Sequence, residues 1–250
     1  MEKENNFSKE YAEISVEFRK SNGSKESIER LYDLLYKMER SERSKNDDLT
    51  LSNIYTLLGF HQSACELFKS AADLTDRKNI SKLYLLEEKA KSHKNDFIIK
   101  DIRKFRGENK QIKLLPTDFV SSESGRNEFK VIDKDVLIFN KVVKNSKVEV
   151  CLYGVHKFEN YADKIVDYIY WLGDCRNKLI EFYNSEVSEW AGTTANDDWY
   201  DTLEIFGVRV IVGVNGNLYS EISCGDDNSQ DHILDIEIEN ETITSMNYDG

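Results

Sequence analysis

The sequence predicts an α+β fold, in which a helical N-terminal domain precedes an antiparallel-sheet domain that packs one long helix. Three observations predict it. Apolar residues recur at spacings of three and four as far as Phe105. From Phe129 onward they alternate with polar ones, interrupted by a single stretch of helical spacing. The lone proline, Pro116, and the run Ser121-Ser122-Glu123-Ser124-Gly125 fall between the two patterns and read as exposed loop. The predicted organisation is therefore residues 1–106 helical, 107–127 linker and 128–250 acidic α+β domain.

The helices follow in order. Tyr11, Ile14 and Phe18 mark the first, which Asn22-Gly23 breaks. Ile28, Leu31, Leu34, Leu35 and Met38 mark the second, and a charged stretch from Glu39 to Asp48 separates it from the next. Leu51, Ile54, Tyr55 and Leu58 define a third, ending at Gly59. Ala64, Phe68, Ala71 and Leu74 define a fourth; Leu83, Leu85, Leu86 and Ala90 a fifth; Phe97, Ile98, Ile102 and Phe105 a short sixth.

The second domain opens with two or three strands between Phe129 and Leu152, with Asn145-Ser146 as a candidate hairpin turn. A long amphipathic helix is predicted from about Asn160 to Val187, with Tyr161, Ile165, Tyr168, Ile169, Leu172, Leu179 and Tyr183 near one face. Leu203 to Val214 reads as a strand, followed by a turn at Asn215-Gly216-Asn217 and a strand through Leu218, Ile222 and Cys224. Leu234, Ile236 and Ile238 alternate with Asp235, Glu237 and Glu239, which places three carboxylates on the face opposite the core. Thr242 to Tyr248 is the last strand.

The stretch Leu51 to Leu74 resembles a tetratricopeptide repeat. Leu51 and Tyr55 fall on its first helix, Gly59 at its turn, and Ala64, Phe68, Ala71 and Leu74 on its second. The large residue usual early in the first helix is missing, Ser52 replaces a small apolar residue, and Asp76 stands where proline often closes the repeat. The resemblance implies a compact TPR-like domain over residues 1–106 and a concave surface for a peptide or a regulatory protein. Lys45, Asn46, Lys78, Asn79 and Lys82 are the residues available to clamp a carboxylate there.

Charge is the most informative count. From Leu179 to Gly250 there are 16 acidic residues and one basic residue, Arg209, for a net −15. The first 178 residues carry a net +3, and the whole chain −12. A strongly acidic balance argues against a nucleic-acid partner, which requires a basic surface. Three readings of the acidic block stand: a solvated sheet, a face for a basic partner, or a divalent-metal site. Asp226, Asp227, Asp231 and His232 are close in sequence but lack the spacing of a known metal loop. Asp197, Asp198 and Asp201 beside Trp199 and Tyr200 form either a protein-binding hot spot or a loop whose rings enter the core.

The sequence carries no nucleophile elbow, phosphate loop, zinc helix or dinucleotide fingerprint. No catalytic residue, metal ligand or cofactor is predicted. No run of about 18 apolar residues marks a membrane span, and Met1 to Glu10 lacks the apolar stretch of a secretory signal. Cys65, Cys151, Cys175 and Cys224 form no CxxC pair and read as reduced thiols of a cytoplasmic protein.

The order from Tyr161 to Gly250 is helix, acidic Trp/Tyr segment, strand pair with a glycine turn, and alternating strand. It resembles small bacterial immunity proteins of polymorphic toxin systems. That resemblance implies a non-enzymatic inhibitor that holds a basic toxin domain, such as a nuclease, through its acidic C-terminal domain. The expected partner-binding residues are Asp197, Asp198, Trp199, Tyr200, Asp201, Asp226, Asp227, Asp231, Asp235, Glu237 and Glu239. The alternative is a TPR-like adaptor that binds a peptide or regulatory protein through residues 1–106.

Overall fold

A computed structural model describes residues 6–93, 97–122 and 127–249. Residues 123–125 of the predicted loop lie outside them. The chain divides into two compact units, Met1–Asp101 and Ile102–Gly250.

The first unit contains α1 (Phe7–Lys20), α2 (Lys25–Glu39), α3 (Lys45–Leu58), α4 (His61–Ala71) and α5 (Arg77–His93). Its core is the stripe predicted from helical spacing: Ile14, Leu31, Leu34, Leu35, Met38, Leu51, Ile54 and Leu58 are buried. α3 starts earlier than its apolar residues alone indicate. Ser44 caps it and forms a reciprocal capping box with Asp47, a Ser-x-x-Asp signal inside the charged stretch. α3 and α4 pack closely because Ala64 and Phe68 are buried between them and Ser52 Oγ donates to Ala64 O at 2.7 Å.

No sixth α-helix forms over Phe97–Phe105. Ile99 N instead donates to Leu58 O at 2.9 Å, and Tyr32 donates its hydroxyl to Ile99 O. Only Ile102–Lys104 makes a 3-10 turn. This segment explains Gly59, whose φ is +86° and whose added Cβ would lie 2.2 Å from Phe97 O. Gly59→Ala is expected to lose about 2 kcal/mol from left-handed strain and displacement of this segment. Urea unfolding followed by tyrosine fluorescence checks it, and a loss below about 0.5 kcal/mol would contradict the close approach.

The second unit contains β1 (Phe119–Ser121), β2 (Glu128–Val131), β3 (Val136–Ile138), β4 (Lys141–Val143), β5 (Val148–Leu152), α6 (Ala162–Leu172), α7 (Arg176–Phe182), α8 (Ser188–Ala191), α9 (Asp197–Thr202), β6 (Glu204–Val212), β7 (Leu218–Gly225), β8 (Ile233–Glu239) and β9 (Thr242–Asp249). Seven strands form one sheet in the order β1-β2-β5-β6-β7-β8-β9. Every neighbouring pair is antiparallel except β5 and β6, which run parallel. The helices between β5 and β6 supply the long crossover that a parallel pair needs.

The 107–127 segment is not a free linker. Leu114 and Phe119 are buried in the sheet unit's core, and β1 is the sheet's first strand. Asn109 N donates to Asn140 Oδ1 at 2.9 Å, and Asn140 Nδ2 donates to Gly107 O at 2.6 Å. Nor is Asn145-Ser146 a hairpin turn, because β4 pairs with β3 and β5 pairs with β2 and β6.

The predicted long helix is broken. The β3–β4 turn, Phe139-Asn140, has φ of +49° and +58°, the left-handed pair typical of a tight hairpin. Its two amides donate to Leu172 O at 2.8 Å and Gly173 O at 2.7 Å. Those carbonyls are thereby satisfied from outside, and the helix stops. The chain resumes as α7, and Tyr183–Val187 then winds as a π-helix before α8.

Val148, Val150 and Leu152 of β5, Val208, Val210 and Val212 of β6, Ile222 and Cys224 of β7, and Leu234, Ile236 and Ile238 of β8 share one core with Ile165, Tyr168, Ile169, Leu172, Leu179 and Tyr183. Tyr168 anchors α6 to the sheet, with its hydroxyl 3.1 Å from Ser220 Oγ and 3.2 Å from Ile238 O.

Candidate functional site

The sheet's other face carries the charge. Side chains alternate across each strand, so the register fixes which residues share a row. Lys130 lies beside Glu149, Glu149 beside Arg209, Arg209 beside Glu221, and Glu221 beside Glu237. Arg209 sits between two carboxylates, its Nε 3.6 Å from Glu149 and its Nη1 3.3 Å from Glu221. Glu221 and Glu237 are directly opposite across β7 and β8. Like charges so placed weaken a sheet.

Asp235, Glu237 and Glu239 occupy the outer face as the alternation predicts, while Leu234, Ile236 and Ile238 are buried. Asp235 accepts from Ser223 Oγ at 2.5 Å, and Glu239 accepts from Asn217 Nδ2 at 2.9 Å. A bulge between Ile205 and Gly207 turns Phe206 onto this same face. Its ring is 42% exposed and lies over Gly225, where an added Cβ would be 2.8 Å from it. Around it is a depression of about 510 Å³ whose charged lining is Lys130, Lys147, Glu149, Arg209 and Glu221.

The other predicted residues sit elsewhere, and four of them are buried. Trp199 is 4% exposed and Tyr200 0%. The acidic Trp/Tyr segment is the short helix α9, capped by Asn196, and its rings enter the core. These rings are not a surface hot spot. Asp201 is also buried, and Arg176 lies over the Tyr200 ring while pairing with Asp201 at 3.2 Å and Asp197 at 3.4 Å. Asp198 pairs with Arg106 at 2.6 Å.

Asp226 is buried too, for a structural reason. Its Oδ2 accepts from Trp199 Nε1 at 2.7 Å and from the Tyr248 hydroxyl; its Oδ1 accepts from the amides of Asn228 and Ser229. It ties α9, the β7–β8 loop and β9 together. Desolvation, with the bonds to Asp226 and Tyr183, raises the Tyr248 hydroxyl far above the ordinary tyrosine range. Asp227 and Asp231 are exposed in the same loop. Among the described residues no three His, Cys, Asp or Glu side chains converge as metal ligands. The four cysteines are buried and free; burial pushes the Cys151 thiol up to about 11 and the Cys175 thiol to about 12.

In the helical unit three of the five predicted carboxylate-clamp residues are engaged separately. Lys82 Nζ donates to Asn53 Oδ1 at 2.6 Å, Asn46 Nδ2 to Ser8 Oγ at 3.2 Å, and Asn79 Nδ2 to Asp73 O at 2.9 Å.

Sequence reasoning missed Glu149, Arg209, Glu221 and Phe206. The first three occupy polar positions of alternating strands and were accessible to the same period-two reading that found Asp235, Glu237 and Glu239. Phe206 was not, because the bulge shifts its side.

These features define a two-unit α+β chain with an acidic, solvent-facing sheet surface. The chain matches no family model, and no curated protein or solved structure matches it significantly. No helix among the described residues is long and apolar enough to cross a membrane.

Proposed function

We propose that the protein is a non-enzymatic binding protein, an immunity protein that neutralises a basic bacterial toxin domain, such as a nuclease, in the cytoplasm. The observation that carries the reading is the outer sheet face. It retains Glu221 opposite Glu237 with no cation between them, at a cost to local stability. It also presents Phe206, exposed beside a mixed row of Lys130, Lys147, Glu149, Arg209 and Glu221. An exposed ring supplies buried contact area and the acids supply steering. A basic cleft that normally holds phosphates is complementary to such a face.

The test is capture from the native host at low and moderate salt, followed by assay of the captured protein. The expected result is one basic enzyme, inactive while bound and active again once salt releases it. An enzyme that keeps full activity in the complex would overturn the reading.

One observation favours the alternative, a TPR-like adaptor. Ile80, Tyr84 and Leu85 of α5 are exposed on a helix that buries only Leu86. That adaptor would hold its peptide or regulatory protein on the isolated residues 1–101, with the sheet unit absent.

A further inference from the structure

The last helix of the first unit has an outer side that water does not suit. α5 buries Leu86 alone, against Ala64, Cys65 and Phe68 of α4. On the side turned away from α4, Ile80 is 50%, Tyr84 61% and Leu85 63% exposed. Stacked helical hairpins end in a polar outer face where water is the final neighbour, and α5 lacks one. Its exposed stripe runs Arg77, Ile80, Ser81, Tyr84 and Glu88, at spacings of three and four, with Leu85 at its border.

The order of charges along the stripe selects the occupant. Arg77 stands one turn before the apolar residues and Glu88 one turn after them. A second copy running antiparallel, about a two-fold axis between Lys82 and Leu83, sets Arg77 of each copy against Glu88 of the other. The same axis brings Ile80 beside Tyr84 and Ser81 beside Leu85. The two Arg77 side chains then stay about 16 Å apart along the helices. A parallel pair would stack Arg77 on Arg77 and Glu88 on Glu88. A partner of one sign would be attracted at one end of the stripe and repelled at the other. Among the described residues the Arg77 guanidinium has no ion-pair partner. Glu88 accepts from Lys91 at 3.0 Å through Oε1, an exposed pair of little worth that leaves Oε2 for Arg77. Residues 1–101 hold 19 acidic and 18 basic side chains, a net −1, so the acidity of the chain lies outside this unit and does not oppose the contact.

We propose that the protein self-associates through the outer stripe of α5 as an antiparallel two-fold dimer, with an Arg77–Glu88 pair at each end of a seam of Ile80, Tyr84 and Leu85. One helix face is small for a specific interface, so the dimer is weak, with a Kd on the order of 10 µM. The inference does not rest on the sheet-face reading, because no toxin enters its test.

Sedimentation equilibrium of the full chain from about 1 to 300 µM tests it. The expected result is a mass that rises from 29.1 kDa toward twice that value. Arg77→Glu and Glu88→Arg should each weaken association about tenfold, because the two-fold axis repeats every altered contact. The double variant Arg77→Glu with Glu88→Arg restores both pairs with their signs exchanged, and should return to within about threefold of the unaltered chain. Tyr84→Asp should leave a monomer. The three positions are exposed, so the circular dichroism spectrum should stay unchanged throughout. A monomer at every concentration would overturn the proposal and leave the stripe to a peptide. A double variant no tighter than the single ones would also overturn it, as would a dimer that survives Tyr84→Asp.

Discussion

Replacing Asp235, Glu237 and Glu239 with lysine is expected to slow association with the basic partner about 100-fold at low salt, within the range that electrostatic steering spans. The three side chains lie on the outer face of β8, with Glu237 directly opposite Glu221. Their reversal leaves the Arg209 pairs with Glu149 and Glu221 in place while changing the charge of β8 by six units. The gap should narrow toward a few-fold near 0.5 M salt, where the screening length falls to about 4 Å. Dissociation should change far less. Phe206→Ala should do the opposite, sparing association and speeding dissociation, because a buried ring acts after encounter. Stability separates this from a folding defect. Glu237→Lys alone converts a like-charge cross-strand pair into an opposite-charge pair and should raise stability by about 0.5 kcal/mol. A variant that is more stable yet slower to bind is hard to explain unless the acids serve a partner. Stopped-flow association measured across a salt series decides the matter, and unchanged rates would remove this face from the interface.

The largest loss of stability is expected at Asp226. Asp226→Ala removes the acceptor for the Trp199 indole, the Tyr248 hydroxyl and two backbone amides at once. Buried donors left without acceptors should lower stability by about 3 kcal/mol. Asp226→Asn should cost roughly half as much. One amide oxygen can still accept the backbone amides, and the Tyr248 hydroxyl can rotate to accept from the new amine, but the indole cannot. All three tryptophans, Trp171, Trp190 and Trp199, lie in the sheet unit. Their fluorescence during urea unfolding therefore reports that unit alone. A loss under about 1 kcal/mol for Asp226→Ala would mean that water replaces the carboxylate at little cost.

How much of this was legible in the sequence depended on whether a residue's role was local. The alternation of Leu234, Ile236 and Ile238 with three acids describes β8 in full, since a strand's faces are set by its own period. The helical stripe from Leu31 to Leu58 was readable for the same reason. The Trp199, Tyr200 and Asp201 segment was not, because burial there depends on Arg176 and Asp226, 23 positions before and 27 after Trp199. The break after Leu172 was equally hidden. Its cause is a turn made by Phe139 and Asn140, a phenylalanine in left-handed backbone that no turn rule favours. Charge counts located the acidic block but could not distinguish exposed acids from Asp226, which serves the core.

The parallel pairing of β5 with β6 bears on the order in which the sheet unit assembles. β6, β7, β8 and β9 follow one another in sequence and close through short turns, so this four-stranded meander can zip from local encounters. The β5 seam, Val148 against Val208 through Leu152 against Val212, must wait for residues 153–203 to collapse into their helices. Closing so long a loop carries an entropic penalty that the hairpins escape. The seam is thus expected to join later than the meander. A protein caught midway through folding would already display its acidic meander, with β5 and the strands beyond it still undocked.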